Sequence, residues 1–315
     1  MQPKSFYAKR GNVALVALTA MILWGSAFPF VQVCTAGFQV AADDIPSRLF
    51  LAGVRFFSAG LILMALCLFT RKSLSIPRER IVQVILIGLL TTTFQYACNY
   101  TGLAYTTGGR ASIWSQTGTF VLVLTACLFD RSDKLTIQKV AGSLLGFIGI
   151  ALTNMGDGAH FFRWNGDGVL LLGAFGSTAG ALISKRVLKQ VDSLVLAAWQ
   201  MCIGGGTLLL MGLAGGGELT VFTWQGGFSL GFLIMISCVA YTLWMKLTQN
   251  CPLSNVAAYR FVIPLSGMVL SCILTGEAIF TLPNMLSLTL VIIGVLMVNW
   301  QPSKSSRICE PRRIP

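Results

Sequence analysis

Long apolar runs alternate with short polar stretches along nearly the whole chain. A membrane-spanning helix needs about 20 mostly apolar residues. By that measure the pattern predicts helices over 12–35, 47–70, 81–104, 108–129, 137–155, 166–187, 193–214, 227–249, 253–275 and 282–301. Each gap is short and holds Gly, Pro, Asp, Asn or basic residues, as helix–helix connections do. No gap is long enough to link separate soluble domains. The spans must be helical, because lipid offers no partner to the edge of an open sheet. The expected fold is therefore all-α integral membrane, with ten transmembrane helices.

Composition supports this reading. Of 315 residues, 55% are hydrophobic and 11% charged, with a mean hydropathy of +0.74, whereas a soluble domain carries about 25% charged residues. The net charge of +12 sits in clusters between apolar runs. That is a topology signal and not the continuous basic face of a nucleic-acid binder. With the N-terminus in the cytoplasm, eighteen of the 23 Lys and Arg fall inside, among them Lys4, Lys9, Arg10, Arg71, Lys72, Arg78, Arg80, Lys185 and Arg186. The outside loops then carry Asp43, Asp44, Asp157, Asp167 and Glu218. Ten crossings place both termini in the cytoplasm. Lys4, Lys9 and Arg10 precede the first apolar run as in a signal peptide. That run lacks a small-x-small ending, so it reads as a first membrane helix.

The two halves resemble each other. Residues 110–130 parallel 257–277 at an offset of 147, pairing Ala111 with Ala258, Trp114 with Phe261 and Asp130 with Glu277. A further apolar helix follows each, ending in Asn154 and Asn299. We divide the chain into repeats at 1–160 and 161–315. Five crossings per repeat is odd, so the second must enter the membrane upside down. Inverted repeats around a central cavity are a recurrent design of secondary transporters.

Short motifs add a resemblance. LWGSAF (23–28), AGVRFF (52–57) and LTGEAIF (274–280) are similar to signatures of the drug/metabolite transporter superfamily, in its EamA-type ten-helix branch. The first half departs from the Gly-Glu ending, with LFDR at 128–131. The resemblance covers nearly the whole chain. It implies a metabolite exporter or exchanger of the cell (inner) membrane, and leaves the substrate open.

Ionisable residues inside spans are costly and are functional candidates. No Asp or Glu lies deep in a predicted span; Asp130 and Glu277 stand at helix ends. Arg55 lies about eight residues into its helix, roughly 12 Å along the axis, and Arg260 enters similarly from the opposite face. Both are expected at the central cavity, the alternatives being a structural role for Arg55 and snorkelling for Arg260. Arg48 and Arg110 read as interfacial anchors. Guanidinium groups without deep carboxylates favour an anionic or zwitterionic substrate, such as an amino acid, held in a two-pronged fashion. Gln95 and Asn99, four apart on one face, join Trp114, Gln116, Tyr241, Trp244 and Tyr259 as candidate binding residues, with Gln200 weaker. Interhelical bonding and packing are the competing explanations. Pro29 and Pro264 interrupt helices and are candidate hinges.

Other chemistries lack material. The nine cysteines show no CxxC or regular spacing and read as buried small hydrophobes, and His160 is the lone histidine. The glycine runs at 204–206 and 215–217 lack the Gly-Lys-Ser/Thr ending of a phosphate loop. No cofactor or metal is expected, and an integral-membrane enzyme or scaffold is the poorer reading. The nearest rival within transport is a cationic-drug exporter, which would want a membrane-embedded glutamate. The pairs Gly142/Gly146, Gly176/Gly180, Gly212/Gly216 and Gly227/Gly231 permit close helix approach, within the chain or in a homodimer.

Overall fold

The computed structural model describes residues 6–7, 9–105, 108–129, 134–152, 162–275 and 282–300. Among them no strand occurs, and the chain folds as α1 (Arg10–Gly37), α2 (Ile45–Phe69), α3 (Ile81–Gly88), α4 (Gln95–Tyr105), α5 (Gly108–Phe129), α6 (Ile137–Leu152), α7 (Val169–Val187), α8 (Ser193–Ala214), α9 (Trp224–Asn250), α10 (Leu253–Ala258), α11 (Val262–Thr275) and α12 (Leu282–Asn299). A π-turn, Leu89–Phe94, joins α3 to α4, a second, Trp164–Gly168, opens α7, and a 3-10 turn, Tyr259–Phe261, joins α10 to α11. Asp130, Asp157, His160, Glu277, the tail from Lys304 and the side chain of Arg110 lie outside the described residues.

Six helices among the described residues are long and apolar enough to cross a membrane: Arg10–Gly37, Ile45–Phe69, Arg78–Tyr105, Trp164–Val187, Ser193–Ala214 and Trp224–Asn250. Ile137–Gly149 and Thr289–Asn299 are shorter apolar helices. Large apolar side chains face outward along the bundle, including Leu15 and Ile22 on α1, Leu61 and Ile62 on α2, Leu172 and Phe175 on α7, and Leu210 and Leu213 on α8. Water tolerates only limited apolar patches, so this is the surface of an integral multi-pass membrane protein.

The helices meet at glycines. α2 packs along α8, with Gly53 and Gly60 on one helix and Gly205 and Gly212 on the other, each pair two turns apart. A Cβ on Gly53 would stand 2.5 Å from the Leu209 Cα, and one on Gly205 2.6 Å from the Phe56 carbonyl carbon. Likewise α6 crosses α12 where a Cβ on Gly142 would meet the Gly294 carbonyl oxygen at 2.6 Å. Lipid is as apolar as the core, so close van der Waals approach supplies much of the association energy here. Gly146 against Phe261, and Gly176 and Gly180 against Phe94 and Thr91, serve packing within the chain.

Local signals fix the ends. Asp44, Asp192 and Thr223 cap α2, α8 and α9, each accepting a backbone N–H with its side chain. α1, α2 and α8 end alike, with Gln39, Arg71 and Gly216 at positive φ. The next residue's N–H then reaches back five positions, as from Val40 to Thr35 at 2.9 Å and from Lys72 to Cys67 at 2.8 Å. Two lysines within the predicted spans and near their ends, counted among the cytoplasmic cations, are buried, Lys139 and Lys185. The Lys185 ammonium donates to the Thr248 and Cys251 carbonyls at the end of α9, where the helix dipole favours a cation. Cys34, Cys67 and Cys98 are buried free thiols. Cys251 is disulfide-bonded, which corrects the expectation of unpaired cysteines throughout.

Candidate functional site

Arg55 sits on the buried face of α2 at 2% exposure. Its Nε donates to Ser237 Oγ of α9 at 2.9 Å, and the Ser237 hydroxyl donates onward to the Leu233 carbonyl at 2.9 Å. The guanidinium carbon lies 4.7 Å from the Phe56 ring centroid, and the buried Tyr100 phenol of α4 stands beside it.

Arg260 is carried by the turn Tyr259–Phe261. Pro264, four residues on, has no N–H to offer the Arg260 carbonyl. Regular helix is interrupted there, and α10 and α11 follow as separate segments. Arg260 is 9% exposed. Its guanidinium carbon lies 5.6 Å from the Trp244 ring centroid. Its Nη2 reaches Ser177 Oγ of α7 only at 3.5 Å, the outer limit of a hydrogen bond, and its Nε is buried without a partner. No carboxylate pairs with Arg55 or Arg260 among the described residues.

Between the arginines lies an aromatic cluster drawn from α1, α2, α4 and α9. Trp24 meets Tyr241 edge-on at 5.0 Å and Trp244 at 5.7 Å. Phe56 packs on Tyr96 at 4.2 Å and on Tyr241 at 6.3 Å. The Tyr96 and Tyr241 hydroxyls share a hydrogen bond of 3.0 Å, and Tyr241 lies within electrostatic reach of both arginines. Trp24 Nε1, like Arg260 Nε, is buried with no hydrogen-bond partner. Unmet buried donors are costly. Each is a donor open to an acceptor from outside the protein.

The cluster thus unites Arg55, Arg260, Tyr241 and Trp244 of the candidates named from sequence. Gln95 and Asn99 are half-buried on α4, where Tyr96 and Tyr100, one residue further on, supply the contacts. Trp114 joins a second aromatic group, 5.1 Å from Phe162, which itself lies 5.1 Å from Trp164. Gln116 is buried and accepts from Thr119 at 2.9 Å within α5. Tyr259 lines a separate cavity against α1 and α12. Gln200 lies at the α8 seam near Thr92, at 3.4 Å. Pro29 leaves α1 one continuous helix but deprives the Gly25 carbonyl of its helical donor. Gly25 faces α11 so closely that a Cβ would stand 2.6 Å from the Ile263 carbonyl oxygen.

Trp24, Phe56, Tyr96, Ser177 and Ser237 are contributors the sequence reading left out. Trp24 lies inside LWGSAF and Phe56 inside AGVRFF, so their motifs were a usable signal. The two serines carry none.

Comparison with known proteins follows the same lines. The model of the EamA-like transporter family matches the chain over residues 12–155 and again over 164–300. The uncharacterized transporter YvbV of Bacillus subtilis is 28% identical over 296 residues, covering 91% of this chain and 92% of its own. The uncharacterized inner membrane transporter YedA of Escherichia coli is 27% identical over 289 residues, covering 90% and 89%. An S-adenosylmethionine/S-adenosylhomocysteine transporter of Chlamydia muridarum is 23% identical over 294 residues, covering 87% of each. A solved crystal structure shares the fold with a TM-score of 0.74 at 18% identity, over 91% of this chain and 98% of that one.

Proposed function

The chain belongs to the EamA-like transporter family, and on that premise we propose that it is a secondary transporter, exporter or exchanger, of a small anionic or zwitterionic metabolite such as an amino acid. The observation that carries the substrate class is Arg260. It is a buried guanidinium with an unpartnered Nε and no carboxylate beside it among the described residues. Leaving such a group unmatched is expensive, and a carboxylate or phosphate arriving as cargo would supply the match. The unpartnered indole N–H of Trp24 is a second unmet donor, joined to Arg260 through the Trp244 ring that both approach. Of the two cargoes named for the Chlamydia relative, S-adenosylhomocysteine is a zwitterionic amino acid and agrees with this chemistry, while S-adenosylmethionine shares its carboxylate but adds a sulfonium charge. A cationic drug would meet two arginines already lying against the rings of the cluster.

We read the transport cycle as alternating access between two inverted five-helix halves, ten crossings in all, in the cell (inner) membrane with both termini cytoplasmic. The packing supports this reading. Exchanging α1 with α7, α2 with α8, α3–α4 with α9, α5 with α10–α11 and α6 with α12 maps the main helix contacts onto one another. α1 packs on α9 and α11, as α7 packs on α3–α4 and α5; α2 with α8 and α6 with α12 are self-related pairs. The double match of the family model is a second support.

The test is uptake by liposomes holding the purified protein, offered a panel of amino acids, organic acids and cationic drugs. Saturable uptake of an anionic or zwitterionic member, lost in Arg260→Ala and Arg55→Ala at unchanged protein abundance, is expected. Undiminished transport in both variants refutes the assignment.

A further inference from the structure

A cavity of about 330 Å³ opens between the start of α1, α10 with its following turn, and the end of α12. Ligand pockets begin near this size. Val13, Ala14, Val256 and Leu296 give it apolar walls, and Arg10, Asn255 and Tyr259 bring polar groups. It is distinct from the aromatic cluster: Tyr259 and Arg260 are consecutive, one lining the cavity and the other contacting Trp244.

Three observations point to a negatively charged occupant. Asn255 is 2% exposed, and its side-chain Nδ2, a donor, is buried with no hydrogen-bond partner. Its Oδ1 is already engaged by the Ser254 hydroxyl at 3.3 Å. The N-terminus of the 28-residue α1 also lines the cavity, with Gly11 facing open space. It has no side-chain cap and no acidic residue in its first turn. A helix N-terminus presents free N–H groups and a partial positive charge, normally matched by an acid or an N-cap oxygen. Here Lys9 and Arg10 stand there instead, adding like charge. The site therefore offers a guanidinium, an amide donor, a phenol and a helix N-terminus, beside apolar walls.

We propose that this cavity is an anion-binding site, separate from the transport site, for a phosphate or carboxylate group borne on an apolar body. A phospholipid head group with the first part of its acyl chain fits that chemistry, as does a free amphiphilic anion. The inference does not depend on the transport reading and is tested by binding alone.

The full chain, purified in neutral detergent, is titrated with short-chain phosphatidylglycerol, with dodecyl phosphate and with inorganic phosphate, phosphatidylcholine serving as control. Thermal unfolding and native mass spectrometry report occupancy. The wild type is expected to bind dodecyl phosphate or phosphatidylglycerol one to one and to unfold at a higher temperature with it. Binding of phosphatidylglycerol alone identifies a lipid source, and binding of dodecyl phosphate as well identifies any amphiphilic anion. Arg10→Gln, at an exposed position, and Asn255→Asp, which keeps the side-chain shape and adds negative charge, should each weaken binding at least tenfold. Equal affinity in the wild type and Arg10→Gln overturns the proposal, as does binding of none of the anionic probes or equal binding of phosphatidylcholine.

Discussion

Replacing Arg260 by methionine separates a transport arginine from a structural one. The side chain is 9% exposed, and methionine, also unbranched but shorter, occupies the space of the aliphatic stem and most of the buried volume. The wild-type guanidinium has one marginal bond at 3.5 Å, a ring contact at 5.6 Å and an unmatched Nε. The ring contact contributes about 0.5–2 kcal/mol, while the unmatched donor costs about 1–3 kcal/mol. Replacing a buried charge with an apolar side chain of similar size is often neutral or stabilising by about 1–4 kcal/mol. Arg260→Met should therefore leave stability unchanged or raise it by up to about 3 kcal/mol. Transport should behave oppositely. Two charge-assisted hydrogen bonds to a substrate anion, at about 1.5–3 kcal/mol each, correspond to a loss of roughly 10²- to 10⁴-fold in apparent affinity. Chemical unfolding of the purified protein and concentration-dependent liposome uptake measure the two quantities. A variant that transports normally but is destabilised by more than about 2 kcal/mol would refute the reasoning, because Arg260 would then be a packing residue.

Arg55 should behave differently, since it is satisfied within the protein. Ser237→Ala removes the acceptor of its Nε, which should cost about 1–3 kcal/mol by chemical unfolding. Gly25→Val drives a branched side chain into the Ser266 hydroxyl and the Ile263 carbonyl. A loss of at least about 1–3 kcal/mol from overpacking should appear as a lowered unfolding temperature. Gln39 and Arg71 occupy left-handed backbone at the ends of α1 and α2. Glycine relieves that strain, so Gln39→Gly and Arg71→Gly should each be neutral to stabilising by up to about 1 kcal/mol on the same assay.

The helices were the more legible part of this molecule. A run of about 20 apolar residues has few alternatives to a spanning helix, and caps such as Asp44 and Asp192 mark their starts. Breaks inside the runs were less visible. Pro264 signalled one near Arg260, but no residue of the LLTTTF stretch at Leu89–Phe94 announces a π-turn. Arg55 and Arg260 stood out because charge is rare in an apolar run. Trp24, Phe56 and Tyr96 did not, since an aromatic residue suits lipid and core alike. Gln95 was preferred to Tyr96 on polarity, yet one residue is a rotation of about 100° on a helix, and Tyr96 makes the contacts. In a soluble protein the apolar stripe tells which face is buried. In a membrane both faces are apolar, and that guide is weak.

The account rests on the second half of the chain lying upside down relative to the first. A sidedness reporter inserted after residue 160, compared with one fused to the C-terminus, measures this directly. We predict an external signal from the first and a cytoplasmic signal from the second. Both reporters on one side of the membrane would contradict five crossings between them, and with them the inverted architecture.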